Sequence, residues 1–301
     1  MSVAALSAAG CVLHAGRIVP ALMAILLALV SAACYGTSDF LAGLLSRSYA
    51  AEPATALVLG TEALGSGLAV LIDPGHGPSV RAIAWGVASG IGGGAGALCL
   101  YRGFAAGAMT VVGTVSGVLA AVVPVIVGLA LGNHLSAGEA IGIVIAVPAI
   151  ALVSWQPHAE DTAGARSAAL YGALAGCGFA LLFIALDRAG TRAGMWPLLS
   201  GQGVAFCVVV PFAARRLVHA GRPAGRDLPY VLSAGLLATG AALFFLLATG
   251  HGELSIVAVI AALYPAFTVL LARVVVSERW SATQVVGLLV AGASVVLVSL
   301  S

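Results

Sequence analysis

Two acidic residues stand out because each lies inside a long apolar segment. Asp39 occurs in Tyr35-Gly-Thr-Ser-Asp-Phe40, and Glu62 occurs in Leu59-Gly-Thr-Glu-Ala-Leu-Gly65. An acid inside a membrane span costs about 2.5 kcal/mol or more, so it should face the bundle interior and have a partner. There it could carry a proton or bind a substrate, or it could stay neutral and fasten two helices by a hydrogen bond. We predict that Asp39 and Glu62 are substrate-contacting or proton-coupling residues.

The two acids should also lie at similar depth, because their segments run in opposite directions and are joined by a short connection. If the carboxyls face each other, they would share a proton. Arg102 lies near the end of the third apolar segment, on the same side as that connection. It could pair with Asp39 or Glu62, bind an anionic substrate group, or extend to the lipid headgroups. Arg102 is therefore a further candidate for the site.

A proline interrupts the ninth apolar segment beside an aromatic residue, in Leu263-Tyr-Pro-Ala-Phe267. Proline removes a helix hydrogen bond and kinks the helix. A kink at Pro265 beside Tyr264 could form a cavity wall or gate, or it could be a static packing feature. We predict a cavity role for Tyr264 and a kinking or gating role for Pro265.

The elements that position these residues must be membrane helices. Hydrophobic residues make up 61% of the 301 residues and charged residues only 8%, against about 25% charged in a soluble domain. Spans need about 20 apolar residues. Ten such segments lie at 20–45, 54–72, 82–104, 109–131, 137–155, 167–187, 196–214, 228–249, 254–276 and 282–300. The sequence therefore predicts an all-α, multi-pass membrane protein with ten transmembrane helices.

The chain also repeats itself at an offset of 145 residues. Gly107-Ala-Met-Thr-Val-Val112 aligns with Gly252-Glu-Leu-Ser-Ile-Val257, and Leu152-Val-Ser154 aligns with Leu297-Val-Ser299. Each copy has five spans, an odd number, so the copies must enter the membrane from opposite faces. We predict an N-terminal extension at 1–19 and two inverted five-helix repeats at 20–155 and 167–301.

Cofactor and metal chemistry finds little support in the sequence. The five cysteines have no CxxC spacing, and the six histidines lie in or beside predicted loops, so we expect no metal site. Ser89-Gly-Ile-Gly-Gly-Gly-Ala-Gly96 contains a Gly-x-Gly, but it lies inside a span, where small residues serve close helix packing. We expect no cofactor, and the net charge of +2 gives no reason to expect nucleic-acid binding.

The repeated segments resemble the EamA family of the drug/metabolite transporter superfamily. The resemblance rests on Leu263–Ala272, Ser277-Glu-Arg-Trp-Ser281 and Gln284-Val-Val-Gly287 in the second copy, and on Tyr101–Val112 in the first. It implies a cavity lined mainly by spans 1, 3, 4, 6, 8 and 9, with Tyr101 among the site candidates. It also implies that Glu278 and Arg279 lock a turn between spans 9 and 10. The first copy departs from the pattern, because Asn133-His134 replaces the usual Glu-Arg.

These features predict a secondary transporter in the cell (inner or plasma) membrane rather than an enzyme. The expected partners are the lipid bilayer and a small metabolite or drug, cationic or zwitterionic, with the protein acting as a monomer or homodimer. A channel or uniporter is the alternative, and an intramembrane enzyme is disfavoured because no mid-span histidine could act as a base. Orientation stays open. The arginine count places the termini outside, whereas the resemblance implies that both are cytoplasmic.

Overall fold

The computed structural model describes residues 3–45, 51–105, 109–154, 165–220, 225–276 and 281–300, and all regular structure among them is helical. The helices are α1 (Val3–Leu45), α2 (Ala51–Ile72), α3 (Val80–Ala105), α4 (Met109–Ala130), α5 (Ala137–Ser154), α6 (Ala165–Ala189), α7 (Trp196–Ala220), α8 (Leu228–Thr249), α9 (Leu254–Ala261), α10 (Tyr264–Val276) and α11 (Ala282–Ser299).

The prediction of ten membrane spans is confirmed. Ten segments of the described chain are long and apolar enough to cross a bilayer, and their ends lie within a few residues of the predicted ones. Large apolar side chains cover the outside of the bundle, including Leu64, Val144 and Leu289, which are 74%, 70% and 70% exposed. Such an apolar exterior requires lipid rather than water as its solvent.

Two helices depart from the predicted segments. The first extends back to Val3, well before the predicted start of the span. The ninth span consists of two helices, because α9 ends at Ala261 and α10 begins at Tyr264. Pro265 is the second residue of α10, where its missing N–H would have had no helical partner. The proline therefore lies in the first turn of a new helix, which follows a two-residue turn at Ala262 and Leu263.

The glycine-rich part of α3 allows it to pack closely between α6 and α7. A Cβ atom at Gly90 would meet the carbonyl oxygen of Gly201 on α7, and one at Gly92 would lie 2.6 Å from the carbonyl oxygen of Gly178 on α6. Close backbone approach of this kind is how small residues join membrane helices. The interpretation of the Gly-x-Gly segment as a packing surface is confirmed.

Two pairs of loops meet on the side of the bundle where α2, α4, α6 and α8 end. The α2–α3 loop contacts the α6–α7 loop, since the backbone N–H groups of His76 and Met195 donate to the carbonyls of Arg192 and Asp73, each at 3.1 Å. Gly75 and Gly194 both have positive φ, and their backbones abut. These contacts join the two halves of the chain across that face.

The α4–α5 loop contacts the start of α9 through Asn133. Its Oδ1 accepts hydrogen bonds from Ser255 Oγ at 2.9 Å and from Ser255 N at 3.4 Å. The neighbouring His134 contributes its backbone N–H, which donates to Glu253 Oε1 at 3.3 Å. The Asn133-His134 pair, which departs from the family pattern, therefore makes a polar link between the halves.

We expect Asn133→Ala to lower the free energy of unfolding by about 1–2 kcal/mol, because it leaves the fully buried Ser255 hydroxyl without its side-chain acceptor. His134→Ala should change it by less than about 0.5 kcal/mol, since its side chain is exposed. Thermal unfolding of both variants in detergent measures the difference. Equal destabilisation by the two changes would contradict the assigned contact.

Candidate functional site

A cavity of about 130 Å³ lies inside the bundle, bounded by α1, α2, α3, α6, α7, α8 and α10. Its walls are mainly apolar, and its polar side chains come from only a few positions. The polar and tyrosine residues lining it are Tyr35, Ser38, Asp39, Thr55, Glu62, Ser89, Gln202 and Tyr264. A mostly apolar enclosure with a few convergent polar groups is the usual form of a small-molecule site.

Both predicted acids line this cavity. Asp39 is exposed and Glu62 is buried with 8% of its surface accessible, and both residues are part of the cavity wall. Asp39 lies six residues before the end of α1, or about 9 Å along the helix at 1.5 Å per residue. Glu62 lies eleven residues after the first residue of α2, or about 17 Å along that helix. The structure therefore brings the two carboxyls to one chamber, with Glu62 at the greater depth.

The backbone around Glu62 is held by α8. The single proton of Thr239 Oγ1 is shared between the Glu62 carbonyl oxygen, at 3.2 Å, and the Gly235 carbonyl oxygen of its own helix, at 3.0 Å. A Cβ atom at Gly65 would press on Thr239, which shows how closely α2 and α8 approach here. This packing fixes the position of Glu62 relative to the cavity.

An aromatic group forms one wall of the cavity. Tyr35 makes edge-to-face contacts with Phe183 and Tyr264, with ring centroids 6.3 and 6.5 Å apart, and Phe183 stacks on Phe245 at 4.5 Å. These are favourable aromatic geometries. The Tyr35 hydroxyl is buried and has no hydrogen-bond partner among the described residues. Tyr264 thus lines the cavity as its position beside Pro265 suggested, although a gating role is still a prediction.

Tyr35 and Gln202 are cavity residues that the sequence analysis missed. Tyr35 lies one helical turn before Asp39, so i, i+4 spacing could have placed both on one face. Gln202 is a polar side chain in an apolar segment and is only 9% exposed. A search for every polar residue within a span, rather than for charges alone, would have found it.

The remaining predicted residues lie elsewhere or cannot be placed. Arg102 is exposed, and its guanidinium carbon lies 4.9 Å from the ring centroid of Phe212 on α7. It does not line the cavity, although Leu100 of the same helix does. The side chain of Tyr101 lies outside the described residues, as do Glu278 and Arg279. Their proposed roles remain predictions.

We expect Arg102→Gln to keep more than half of the transport rate and to cost less than about 1 kcal/mol of stability, because a cation–π pair at an exposed site contributes about that much. Uptake into proteoliposomes and thermal unfolding in detergent measure the two quantities. A complete loss of uptake in a folded variant would instead place Arg102 in the substrate pathway.

The helices that form the cavity differ from those that the resemblance implied. Among the described lining residues, spans 1, 3, 6, 8 and 9 contribute and α4 supplies none, whereas α2 and α7 supply four each. The packing explains the difference, because α4 lies against α5, α6 and α9, while α2 and α7 pack on each other beside α3 and α8. The expectation that span 4 lines the cavity is therefore wrong for this structure.

Potential metal ligands do not cluster in the described part of the chain. Among the described residues, no group of three or more His, Cys, Asp or Glu side chains is close enough to hold a metal ion. Two carboxyl-bearing residues in one cavity can bind a cationic group or exchange protons.

Comparison with known proteins agrees with this architecture. Residues 166–300 match the EamA-like transporter family. A solved structure described only as a crystal structure of a protein superposes with a TM-score of 0.75 at 15% identity, covering 92% of this chain and 96% of the other, which shows a shared fold. No curated protein matches the chain significantly. The protein is thus a multi-pass membrane protein whose second five-span half, residues 166–300, is similar to the EamA-like transporter family.

Proposed function

We propose that this protein is a secondary active transporter that moves a small molecule across the cell membrane through the cavity bordered by Asp39 and Glu62. The observation that carries the proposal is the placement of two carboxyls from neighbouring helices in one chamber inside the bundle. Acids within a membrane are costly and are found where they serve a substrate or ion pathway. The family match of residues 166–300 supports the transporter class.

The pattern of helix packing supports two inverted repeats at 20–155 and 167–301. The 145-residue offset pairs α1 with α6, α2 with α7 and α3 with α8. Under this exchange the packing of α1 on α8 corresponds to that of α6 on α3, and both contacts are extensive. Likewise, α2 packs on α8 as α7 packs on α3. Related halves around a central site would allow the site to open to either face.

The two acids provide a means of coupling. A carboxyl can hold a proton or a cationic group but not both at once, so substrate entry and proton release would be linked at Asp39 or Glu62. The chain contains no lysine, so it cannot form the lysine-containing phosphate loop of an ATP-driven pump by itself. Exchange for protons or for a second substrate molecule is the expected driving reaction.

Solid-supported-membrane electrophysiology on liposomes containing the purified protein tests this proposal. Amines, amino acids and nucleosides are applied in turn, and each compound that gives a current is then tested for counterflow exchange. We expect at least one compound to exchange, and we expect Glu62→Gln to abolish its proton-linked flux while leaving the protein folded. Sustained current without counterflow would favour a channel or uniporter. If no compound gives a current or exchanges, the result would oppose the proposal.

A further inference from the structure

We propose that the cavity takes a small organic cation, an amine of about six non-hydrogen atoms with an apolar body, in preference to a zwitterion, a neutral molecule or a bulky cation. The inference rests on the proposed function and names the substrate class for the same site. Four features of the cavity carry it: its charge, the scarcity of donors for an anionic group, its aromatic wall and its size.

The charged side chains that line the cavity are acidic. Asp39 and Glu62 are the ionisable acids among the described lining residues, and no arginine or histidine is among them. Arg102 and Arg188, which lie on lining helices, are not part of the wall. An ammonium group would therefore meet carboxyl oxygens, with which it forms charge-assisted hydrogen bonds about twice as strong as neutral ones.

A zwitterion would bring a carboxylate that this cavity is poorly equipped to bind. A broken span can present free N–H groups to an anion, and the α9–α10 break lies at the cavity beside Tyr264. Here Pro265 has no N–H, and the N–H of Ala266 already donates to the Leu263 carbonyl at 2.9 Å. The carboxylate would also be repelled by the two acids. The remaining lining donors, such as the Gln202 amide, are neutral.

The aromatic wall suits an apolar body that carries a positive charge. The rings of Tyr35, Phe183 and Tyr264 lie together at one side of the chamber, and aromatic faces attract cations. The Tyr35 hydroxyl is buried without a partner among the described residues.

The volume sets the size of the substrate. A protein cavity of about 150 Å³ accommodates one benzene molecule, so the 130 Å³ found here suits about six non-hydrogen atoms. The Cα positions of Gly90, Gly93 and Gly201 contribute to the wall. Gly90 and Gly201 lie in close backbone contact, which joins α3 and α7 at this wall. A bulky drug-like cation would therefore extend beyond this space.

Isothermal titration calorimetry on the full-length protein in nanodiscs tests the inference with four probes at neutral pH, where an alkylamine is protonated like a lysine side chain. They are n-pentylamine, the neutral n-pentanol of the same shape, the zwitterion norvaline and the bulky tetrabutylammonium ion. We expect n-pentylamine to bind at least about tenfold more tightly than each of the others, as loss of a charge-assisted contact would require.

Two variants assign the preference to the cavity. Asp39→Asn and Glu62→Gln each preserve side-chain size, and we expect each to reduce the preference for n-pentylamine over n-pentanol by about tenfold. Glu52→Gln is the matched control, because Glu52 is an acid of α2 that pairs with Arg216 at 2.7 Å outside the cavity. It should leave all four affinities unchanged.

The inference is overturned if norvaline, n-pentanol or tetrabutylammonium binds as tightly as n-pentylamine, or if both cavity variants keep the full preference. Absence of n-pentylamine binding also overturns it. The proposed transport function is judged separately by counterflow. If the protein exchanges an amino acid or nucleoside but does not bind n-pentylamine, the proposed transport function stands and the proposed amine specificity is wrong.

Discussion

Asp39→Asn is expected to slow substrate uptake by about 10- to 100-fold, the loss that follows from removing a charged hydrogen-bond acceptor worth about 1.5–3 kcal/mol. Asp39 is an exposed residue of α1 and is part of the cavity wall. Asparagine has nearly the same volume and shape, so the packing of α1 should survive. Initial rates of uptake into proteoliposomes measure the effect at equal amounts of inserted protein.

Glu52→Gln is the control for this experiment, because it also removes one acid but from an exposed ion pair with Arg216. Such surface pairs contribute about 0–1 kcal/mol, so uptake and stability should both stay close to wild type. Thermal unfolding of both variants separates loss of transport from loss of fold. If folded Asp39→Asn carries substrate at the wild-type rate, Asp39 has no part in the site.

Gly90→Ala is expected to destabilise the protein by about 3 kcal/mol or to prevent folding, which exceeds the usual cost of overpacking because the obstacle is backbone. The new Cβ would meet the Gly201 carbonyl oxygen and lie 2.9 Å from both the Gly201 carbonyl carbon and Val204 Cβ. The α3 and α7 helices would have to separate, and the cavity wall that they form would change with them. Unfolding temperature and the yield of monodisperse protein measure the outcome.

Gly203→Ala is the matched control on α7. A Cβ atom at Gly203 has nothing within 4 Å, and alanine is favoured over glycine within helices by about 0.5–1 kcal/mol. This variant should be as stable as wild type or slightly more stable. Similar behaviour of the two variants would contradict the close α3–α7 crossing.

The helices could be predicted from the sequence because the bilayer imposes a simple requirement. Every backbone group must be satisfied within its own segment, so a run of about 20 apolar residues is sufficient to indicate a span. The two acids were identified by the same reasoning, since charge in such a run is unusual. Helix starts were less predictable. Ser281 and Gln284 form a reciprocal cap at α11, but α1 extends back through residues that were treated as an extension.

The membership of the cavity could not be predicted in the same way, because it depends on which helices are neighbours. Polar residues such as Gln202 were missed, and α4 was expected in place of α2 and α7. Arg102 illustrates the limit: its distance along α3 is near that of cavity residues, yet its guanidinium lies over Phe212 at the exterior. Depth in the membrane follows from the sequence, whereas the direction that a side chain faces requires the packed bundle.

The central claim is that substrate passes through the cavity, and cysteine accessibility tests it most directly. In a chain whose five native cysteines are replaced by alanine, Ala97→Cys places a thiol in the cavity wall, and Ile91→Cys places one on the exposed face of the same helix. A hydrophilic, positively charged thiol reagent should modify Ala97→Cys and thereby block uptake, and bound substrate should slow this modification. The same reagent should leave uptake by Ile91→Cys unchanged. If modification of Ala97→Cys leaves uptake unchanged, or if the reagent blocks uptake only by Ile91→Cys, the substrate takes another path.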